Sequence, residues 1–276
     1  VTRVAEPGAS AGRAIYAGFL TAQGRFLHDF FIVECAGRFL LDCEAARLDD
    51  LKRRLGLYKL RAKVTLADES AAWEVAALWG EGVFAALGLP ENAGAESVGV
   101  ARGFAGGIVY VDSRLVALGA RAILPRGAGV ASCVAAGFAP AEESAYQRLR
   151  LAQGVPDGSR DLTVERALLL ENGFDELNGV DWKKGCYVGQ EVTARMKYRA
   201  LVKKRLMPVR IDGVPPAPGT PILLGEEDAG EMRSAADGLG LALLRLDAVE
   251  QANREGRALS AGPARLTPLK PGWIRL

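Results

Sequence analysis

The stretch KKGCYVGQE, residues 183–191, places a cysteine between two glycines, with two lysines before it and an amide–carboxylate pair after it. Gly185 and Gly189 allow backbone angles that a side chain would disfavour, so we expect a tight loop here. The residues that follow fit a helix, in which Glu191 and Arg195 would share one face. We therefore predict a loop that leads into a helix N-terminus.

Cys186 is the candidate functional residue of this loop. It would lie near free backbone N–H groups and near the ammonium groups of Lys183 and Lys184, and all of these favour a thiolate. A buried cysteine in a purely structural loop fits the same spacing equally well. The other three cysteines lie in apolar runs and are expected in the core: Cys35, Cys43 and Cys133.

The histidine and cysteine content of the sequence predicts that this chain alone holds no metal. His28 is the single histidine and no C-x-x-C pair occurs, whereas a structural zinc site usually needs four closely spaced ligands. Reduced cysteines suit the cytoplasm, or the mitochondrial matrix in a eukaryote. No apolar run is long enough for a membrane span, so we expect no membrane partner. Val1 is not an initiator methionine, and we expect that residues precede it.

The charge of the chain is concentrated around the same loop. Residues 181–205 hold eight basic and two acidic residues, a net charge of +6, although the 276-residue chain carries only +2. A basic segment on a mildly acidic body indicates an anionic ligand or partner, unless it is only a solvated face. An RNA-binding module would interleave aromatic residues with the basic ones. From Lys183 onward only Tyr187 and Tyr198 do so, and we expect no nucleic-acid partner.

Residues 183–191 resemble the K-G-C-[FY]-x-G-Q-E signature of the YgfZ-type folate-binding proteins, which are relatives of the T-protein (aminomethyltransferase) of the glycine cleavage system. The resemblance extends to Leu20–Asp29, which is similar to the first motif of that family, and to Glu171–Val180 just before the signature. Leu239–Asp247 resembles a strand of the family's closing domain. The resemblance therefore covers nearly the whole chain.

The resemblance implies an α+β fold in which two intertwined ferredoxin-like subdomains precede a small C-terminal β-barrel. The first subdomain would combine residues 1–45 with 126–199, and the second would span 46–125. The barrel would span 200–276, where short strands alternate with Gly/Pro turns. We expect a monomer.

The resemblance also implies a tetrahydrofolate site. A carboxylate can accept two hydrogen bonds from a pterin ring, and Glu171 holds the matching position, although a surface glutamate at a turn is the alternative. Asp29 keeps one acid of the T-protein's acidic pair, whose other position is His28, although a loop aspartate that satisfies backbone N–H groups fits as well. The remaining candidates lie in or after the signature: Lys184, Gln190, Glu191, Arg195, Tyr198 and Arg199.

The function that the resemblance implies is that of a tetrahydrofolate-binding accessory protein for the assembly or repair of iron–sulfur clusters. Its partners would be iron–sulfur assembly proteins and client enzymes. The alternative is a tetrahydrofolate-dependent one-carbon transferase or demethylase, although His28 in the acidic pair argues against aminomethyl transfer.

Two predictions of local structure concern residues 58–87. Residues 58–66 alternate between apolar and basic or polar side chains, which predicts a half-buried strand. Asp68 or Ser70 is then expected to begin a helix that runs to about Leu87. The apolar side of the predicted strand comprises Tyr58, Leu60, Ala62, Val64 and Leu66.

Overall fold

The computed structural model describes residues 1–3, 12–90, 94–199 and 202–275. The chain forms two compact units. The barrel unit comprises Val1–Thr2, Gly18–Leu27 and Ala141–Leu276, and the four-stranded unit comprises Arg3–Ala17 and His28–Pro140. The subdomain boundaries given above stay predictions, and Ala200, where the barrel was predicted to begin, lies outside the described residues.

The first sheet is formed by three strands near the start of the chain. It contains β1 (Ile15–Leu20), β2 (Phe26–Cys35) and β3 (Arg38–Cys43), in the order β1-β2-β3. β1 is buried along its whole length, which its apolar sequence explains. Helix α1 (Leu48–Lys59) follows β3.

The second sheet forms the centre of the four-stranded unit. Its strands are antiparallel and lie in the order β4-β7-β6-β5. Helices α2 (Val83–Leu87) and α3 (Gly129–Ala135) contribute apolar residues to its core. The strands are β4 (Trp73–Leu78), β5 (Ala101–Phe104), β6 (Gly107–Val111) and β7 (Ala120–Pro125).

Both predictions for residues 58–87 are wrong. The residues of the predicted strand form the end of α1 and then irregular backbone, because no strand among the described residues pairs with them. The predicted helix is β4, a glycine-containing turn and the short α2. Gly80 and Gly82 both have positive φ, which interrupts a helix there. Asp68 accepts the Ser70 N–H at 2.9 Å, so its side chain stabilises a turn and not a helix start.

Three helices precede the barrel: α4 (Glu143–Gln153), α5 (Gly158–Asp161) and α6 (Gln190–Tyr198). The six strands after them close into a barrel in the order β10-β11-β8-β13-β12-β9, which confirms the predicted C-terminal barrel. The ten-residue β10 and α7 (Leu246–Glu255) were not predicted. The barrel strands are β8 (Lys204–Asp212), β9 (Pro221–Leu224), β10 (Glu227–Ala236), β11 (Leu239–Arg245), β12 (Leu259–Ala261) and β13 (Ala264–Pro268).

A buried ion pair joins the barrel to the helices before it. Arg150 of α4 donates to Asp161 of α5 at 2.7 Å and to the Ser234 hydroxyl of β10 at 2.9 Å. The Ser234 N–H also donates to Asp161 at 3.1 Å. Both charged side chains are fully buried, so each would be costly to leave without the other. None of the helices in the described ranges is long and apolar enough to cross a membrane.

Candidate functional site

Two glycine backbones meet where the signature loop enters α6. Gly189 precedes the first residue of the helix with φ of 81°, and Gly24 has φ of 73° in the turn between β1 and β2. A Cβ on Gly24 would lie 2.7 Å from the Gly189 carbonyl oxygen, and a Cβ on Gly189 would overlap the carbonyl of Thr21. Only glycine permits this approach at both positions, so the first motif and the signature are held against each other.

Gln190 and Lys184 take part in the structure of the loop itself. The Tyr187 N–H donates to the Gln190 side-chain oxygen at 3.0 Å, and the Gln190 N–H donates to the Tyr187 carbonyl at 3.2 Å. The Lys184 ammonium lies 5.0 Å from the centre of the half-buried Tyr187 ring. Burial raises the pKa of the Tyr187 hydroxyl. These contacts fix the backbone on both sides of Cys186.

Cys186 is exposed, whereas Cys35 and Cys43 are half-buried and Cys133 is buried. Burial raises the pKa of the Cys43 thiol to about 11 and also raises the pKa of Cys133. Both thiols are therefore held in the unreactive protonated form near neutral pH. Cys186 is thus accessible to solvent, whereas at least Cys43 and Cys133 are less accessible and less reactive.

Four candidates lie on the exposed side of α6 or at its end. Glu191 and Arg195 form an exposed ion pair at 2.5 Å, which contributes little to stability and leaves both groups accessible. Tyr198 is 76% exposed and contacts Trp182 edge to face, with ring centres 6.2 Å apart. Arg199 is exposed just after the helix. This surface offers two guanidinium groups and an accessible aromatic ring.

Glu171 lies on a single helical turn that the barrel holds in place. Arg205 of β8 donates to the Leu170 carbonyl at 2.8 Å and pairs with Glu176 at 2.6 Å. Arg205 is itself buried, so the turn that carries Glu171 is anchored to a rigid strand. A rigid support of this kind is what a ligand-binding carboxylate requires.

The Glu171 carboxylate is half-buried among cations. Burial raises its pKa, while Lys204, Arg25 and Arg233 act in the opposite direction. Within the described ranges, no hydrogen bond or ion pair engages it. The sequence analysis did not include two of these neighbours, Arg25 and Arg233. Arg25 could have been found because it directly follows Gly24 in the first motif, whereas no sequence signal marks Arg233 on the unpredicted β10. A desolvated carboxylate without a partner is suited to accept hydrogen bonds from a ligand.

Asp29 belongs to the four-stranded unit, whereas the other predicted site residues belong to the barrel unit. The Asp29 carboxylate accepts a hydrogen bond from the hydroxyl group of the buried Tyr16 at 2.7 Å. His28 is buried, and its Nε2 lies 2.9 Å from Asp50 of α1. His28 thus links β2 to α1 by a structural contact. Across the parts of the chain that the structure covers, no three His, Cys, Asp or Glu side chains are grouped so as to hold a metal ion.

Comparison with known families and proteins gives matches along most of the chain. The domain described as "CAF17, C-terminal beta-barrel domain" matches residues 203–276. "Iron-sulfur cluster assembly factor IBA57, mitochondrial" of Mus musculus is 33% identical over 264 residues, which cover 90% of this chain and 69% of the mouse protein. Its Homo sapiens counterpart is 37% identical over 247 residues, which cover 85% of this chain and 65% of the human protein. These relatives are mitochondrial by name, as predicted for a eukaryotic member.

The crystal structure of the glycine cleavage system aminomethyltransferase T from Bartonella henselae has the same fold. The TM-score is 0.68, with coverage of 95% of this chain and 76% of the other, and the sequence identity is 16%. This likeness confirms the predicted T-protein-like fold. At this identity it carries no conclusion about activity.

The exposure of Cys186 leads to a labelling prediction. With limiting iodoacetamide near neutral pH, Cys186 should be alkylated before Cys43 and Cys133, because burial holds those two thiols protonated. Peptide mapping by mass spectrometry gives the order of labelling. If Cys43 or Cys133 is modified first, the structural assignment of the exposed thiol is wrong.

Proposed function

The chain belongs to the family of IBA57 iron–sulfur cluster assembly factors, and from this membership we propose that it is an accessory protein for the assembly or repair of iron–sulfur clusters. The observation that carries the proposal is the exposed Cys186 on a loop that the Gly24–Gly189 contact fixes. Its partners would be iron–sulfur assembly proteins and client enzymes.

Cys186 would act as the functional thiol. Thiolates are the usual ligands of iron–sulfur clusters, and a cubane cluster needs four of them. Cys186 can supply one ligand, and no second cysteine shares its loop. A cluster or sulfur species that contacts Cys186 is therefore held mainly by a partner. The thiol assists a transfer or a repair, and the chain does not store a cluster alone.

The charge around Cys186 suits such a partner. Residues 181–205 carry a net charge of +6, and Lys183, Arg195 and Arg199 are exposed. A thiolate-ligated cluster is anionic. Opposite charges on the two proteins would steer their encounter and speed it at low ionic strength.

A complementation assay tests this role. In cells that lack their own family member, the chain directed to the mitochondria should restore the activity of a [4Fe–4S] enzyme. Cys186→Ala should restore little of it, because the thiol is lost while a loop residue contributes little to packing. Cys35→Ala, the matched control, should restore as much as the wild type. Full rescue by Cys186→Ala would remove the thiol from the mechanism, and failure of the wild-type chain would contradict the proposed function.

We also propose that tetrahydrofolate binds at Glu171, as the resemblance to YgfZ-type proteins implies. The half-buried carboxylate has two oxygens, which can accept hydrogen bonds from the amino group and the ring N–H of a pterin. The exposed guanidinium groups of Arg195 and Arg199 match the carboxylates of a glutamate tail, and Tyr198 offers a stacking surface. The roles of Lys184, Gln190, Glu191 and Asp29 in this site are part of the same proposal.

The one-carbon transferase alternative finds less support in the geometry. A transferase of the T-protein type would need the acidic pair, and here His28 is buried against Asp50. Only Asp29 of the pair is a carboxylate. We therefore favour folate as a bound ligand over folate as the acceptor of an aminomethyl group.

The folate site makes a prediction for calorimetry. Glu171→Gln should weaken the binding of tetrahydrofolate by about 1.5–3 kcal/mol, because hydrogen bonds to a charged acceptor are lost. Glu226→Gln removes the same charge at an exposed position of the barrel unit and should leave the affinity unchanged. Equal affinities for the wild type and Glu171→Gln would exclude Glu171 from the site.

A further inference from the structure

Ten consecutive residues at the end of α1 and just after it are exposed to solvent: residues 56–65, here called the exposed stretch. Leu60 is 87% exposed and Leu57 is 67% exposed, and Tyr58 and Val64 are both more than half exposed. Large apolar residues on a protein surface usually occur singly, and a cluster of them marks an interaction site. The exposed stretch therefore presents apolar side chains that the fold itself does not bury.

The exposed stretch lies in a second basic segment of the chain. Residues 51–67 carry a net charge of +6, as large as that of residues 181–205, and no acidic residue occurs between Asp50 and Asp68. Each of Lys59, Arg61 and Lys63 stands between two apolar or aromatic residues in the sequence. Among the described residues, no carboxylate pairs with these three cations. A partner of this stretch must therefore offer negative charge and apolar contact at the same place.

The backbone holds Leu60 out in the solvent. Leu60 follows the last residue of α1 with φ of 48° and ψ of −118°, a conformation that favours glycine. Such a conformation is costly for a residue with a Cβ, and residues of this kind are enriched at functional sites. The Ala62 N–H donates to the Lys59 carbonyl at 2.9 Å, and the Val64 N–H donates to the Ala62 carbonyl at 2.8 Å. The turn is thus closed by its own hydrogen bonds.

We propose that the exposed stretch attaches the protein to the surface of a membrane that contains anionic phospholipids. Lys59, Arg61 and Lys63 contact the phosphate groups, and Leu57 and Leu60 insert at the boundary between headgroups and acyl chains. Anionic groups and apolar chains lie side by side in that interface, as the alternation along the stretch requires. An acidic protein matches the stretch less well, because it would have to place fixed carboxylates between apolar pockets at the same spacing.

Attachment of this kind differs from a membrane span. The expectation of no membrane partner came from the lack of a long apolar run. A surface segment needs only a few inserted side chains with cations beside them. Since few side chains insert, the attachment is weak and reversible, and the protein exchanges between membrane and solution. The inference is independent of the proposed function.

Vesicle flotation of the full chain tests the attachment. At low salt, vesicles of phosphatidylcholine with about 30% phosphatidylglycerol should carry about tenfold more protein than vesicles of phosphatidylcholine alone. Sodium chloride at about 0.5 M should release most of the protein, because the ions screen the attraction between the cations and the phosphates. Failure of the chain to float with the anionic vesicles would overturn the proposal.

The cationic contribution is tested by the triple variant Lys59→Gln, Arg61→Gln and Lys63→Gln. It should lower flotation with the anionic vesicles about tenfold, whereas its control should lower flotation less than about twofold. Equal losses in the two would show that binding depends on net charge alone and would contradict the assignment of the stretch. The control removes the same charge from exposed positions of the barrel unit: Arg210→Gln, Arg254→Gln and Lys270→Gln.

The apolar contribution is tested by Leu60→Ser. It should lower flotation about fivefold, because the inserted side chain is lost. Val214→Ser is the matched control, because Val214 is 75% exposed in the barrel unit and should not insert. Unchanged flotation of Leu60→Ser would contradict the insertion. Retention on immobilised poly-L-glutamate without flotation, again lost in the variant at residues 59, 61 and 63, would assign the stretch to an acidic protein.

Limited trypsin digestion of the unmodified chain guards against a folding defect in the variants. Trypsin cleaves after Lys59, Arg61 and Lys63, which lie on an exposed turn. Anionic vesicles should slow cleavage at these three sites about tenfold and leave cleavage after the exposed Arg257 unchanged. Equal cleavage with and without the vesicles would contradict the attachment.

Discussion

The direct contact between the backbones of Gly24 and Gly189 is the constraint on which the candidate site depends. Neither position has room for a Cβ, and both have positive φ. The contact fixes the turn after β1 against the start of α6, and the signature loop therefore has little freedom. The Gln190 side chain completes the loop through the Tyr187 N–H. Cys186 lies in the part of the loop that these contacts leave open to solvent.

The barrel unit places two different kinds of chemistry on its surface. Cys186 is exposed and lies in a basic stretch of the sequence, which suits contact with another protein. Glu171 is half-buried on a turn held by the buried Arg205, which suits a small ligand with hydrogen-bond donors. The buried Arg150–Asp161 pair ties the barrel to the helices before it. The barrel therefore serves as the rigid support for the site.

The sequence predicted the parts of the fold in which local signals and tertiary packing agree. The signature loop, α6 and the closing barrel are of this kind. The prediction failed for residues 58–87. The alternating segment there pairs with no strand in the described part of the chain, and Gly80 and Gly82 interrupt the apolar stripe that predicted a helix. Arg233 beside Glu171 could not be predicted, because its proximity comes from the closure of the barrel.

The most direct test of the account is the activity of a [4Fe–4S] enzyme in cells that depend on Gly24→Ala as their only family member. Gly37→Ala is the matched control, because Gly37 has φ of 75° but no atom near the position of a Cβ. Both variants bear the backbone cost of about 1 kcal/mol, and only Gly24→Ala pushes the signature loop away. At equal amounts of folded protein, Gly37→Ala should support the enzyme and Gly24→Ala should not. Full support by Gly24→Ala would contradict the account.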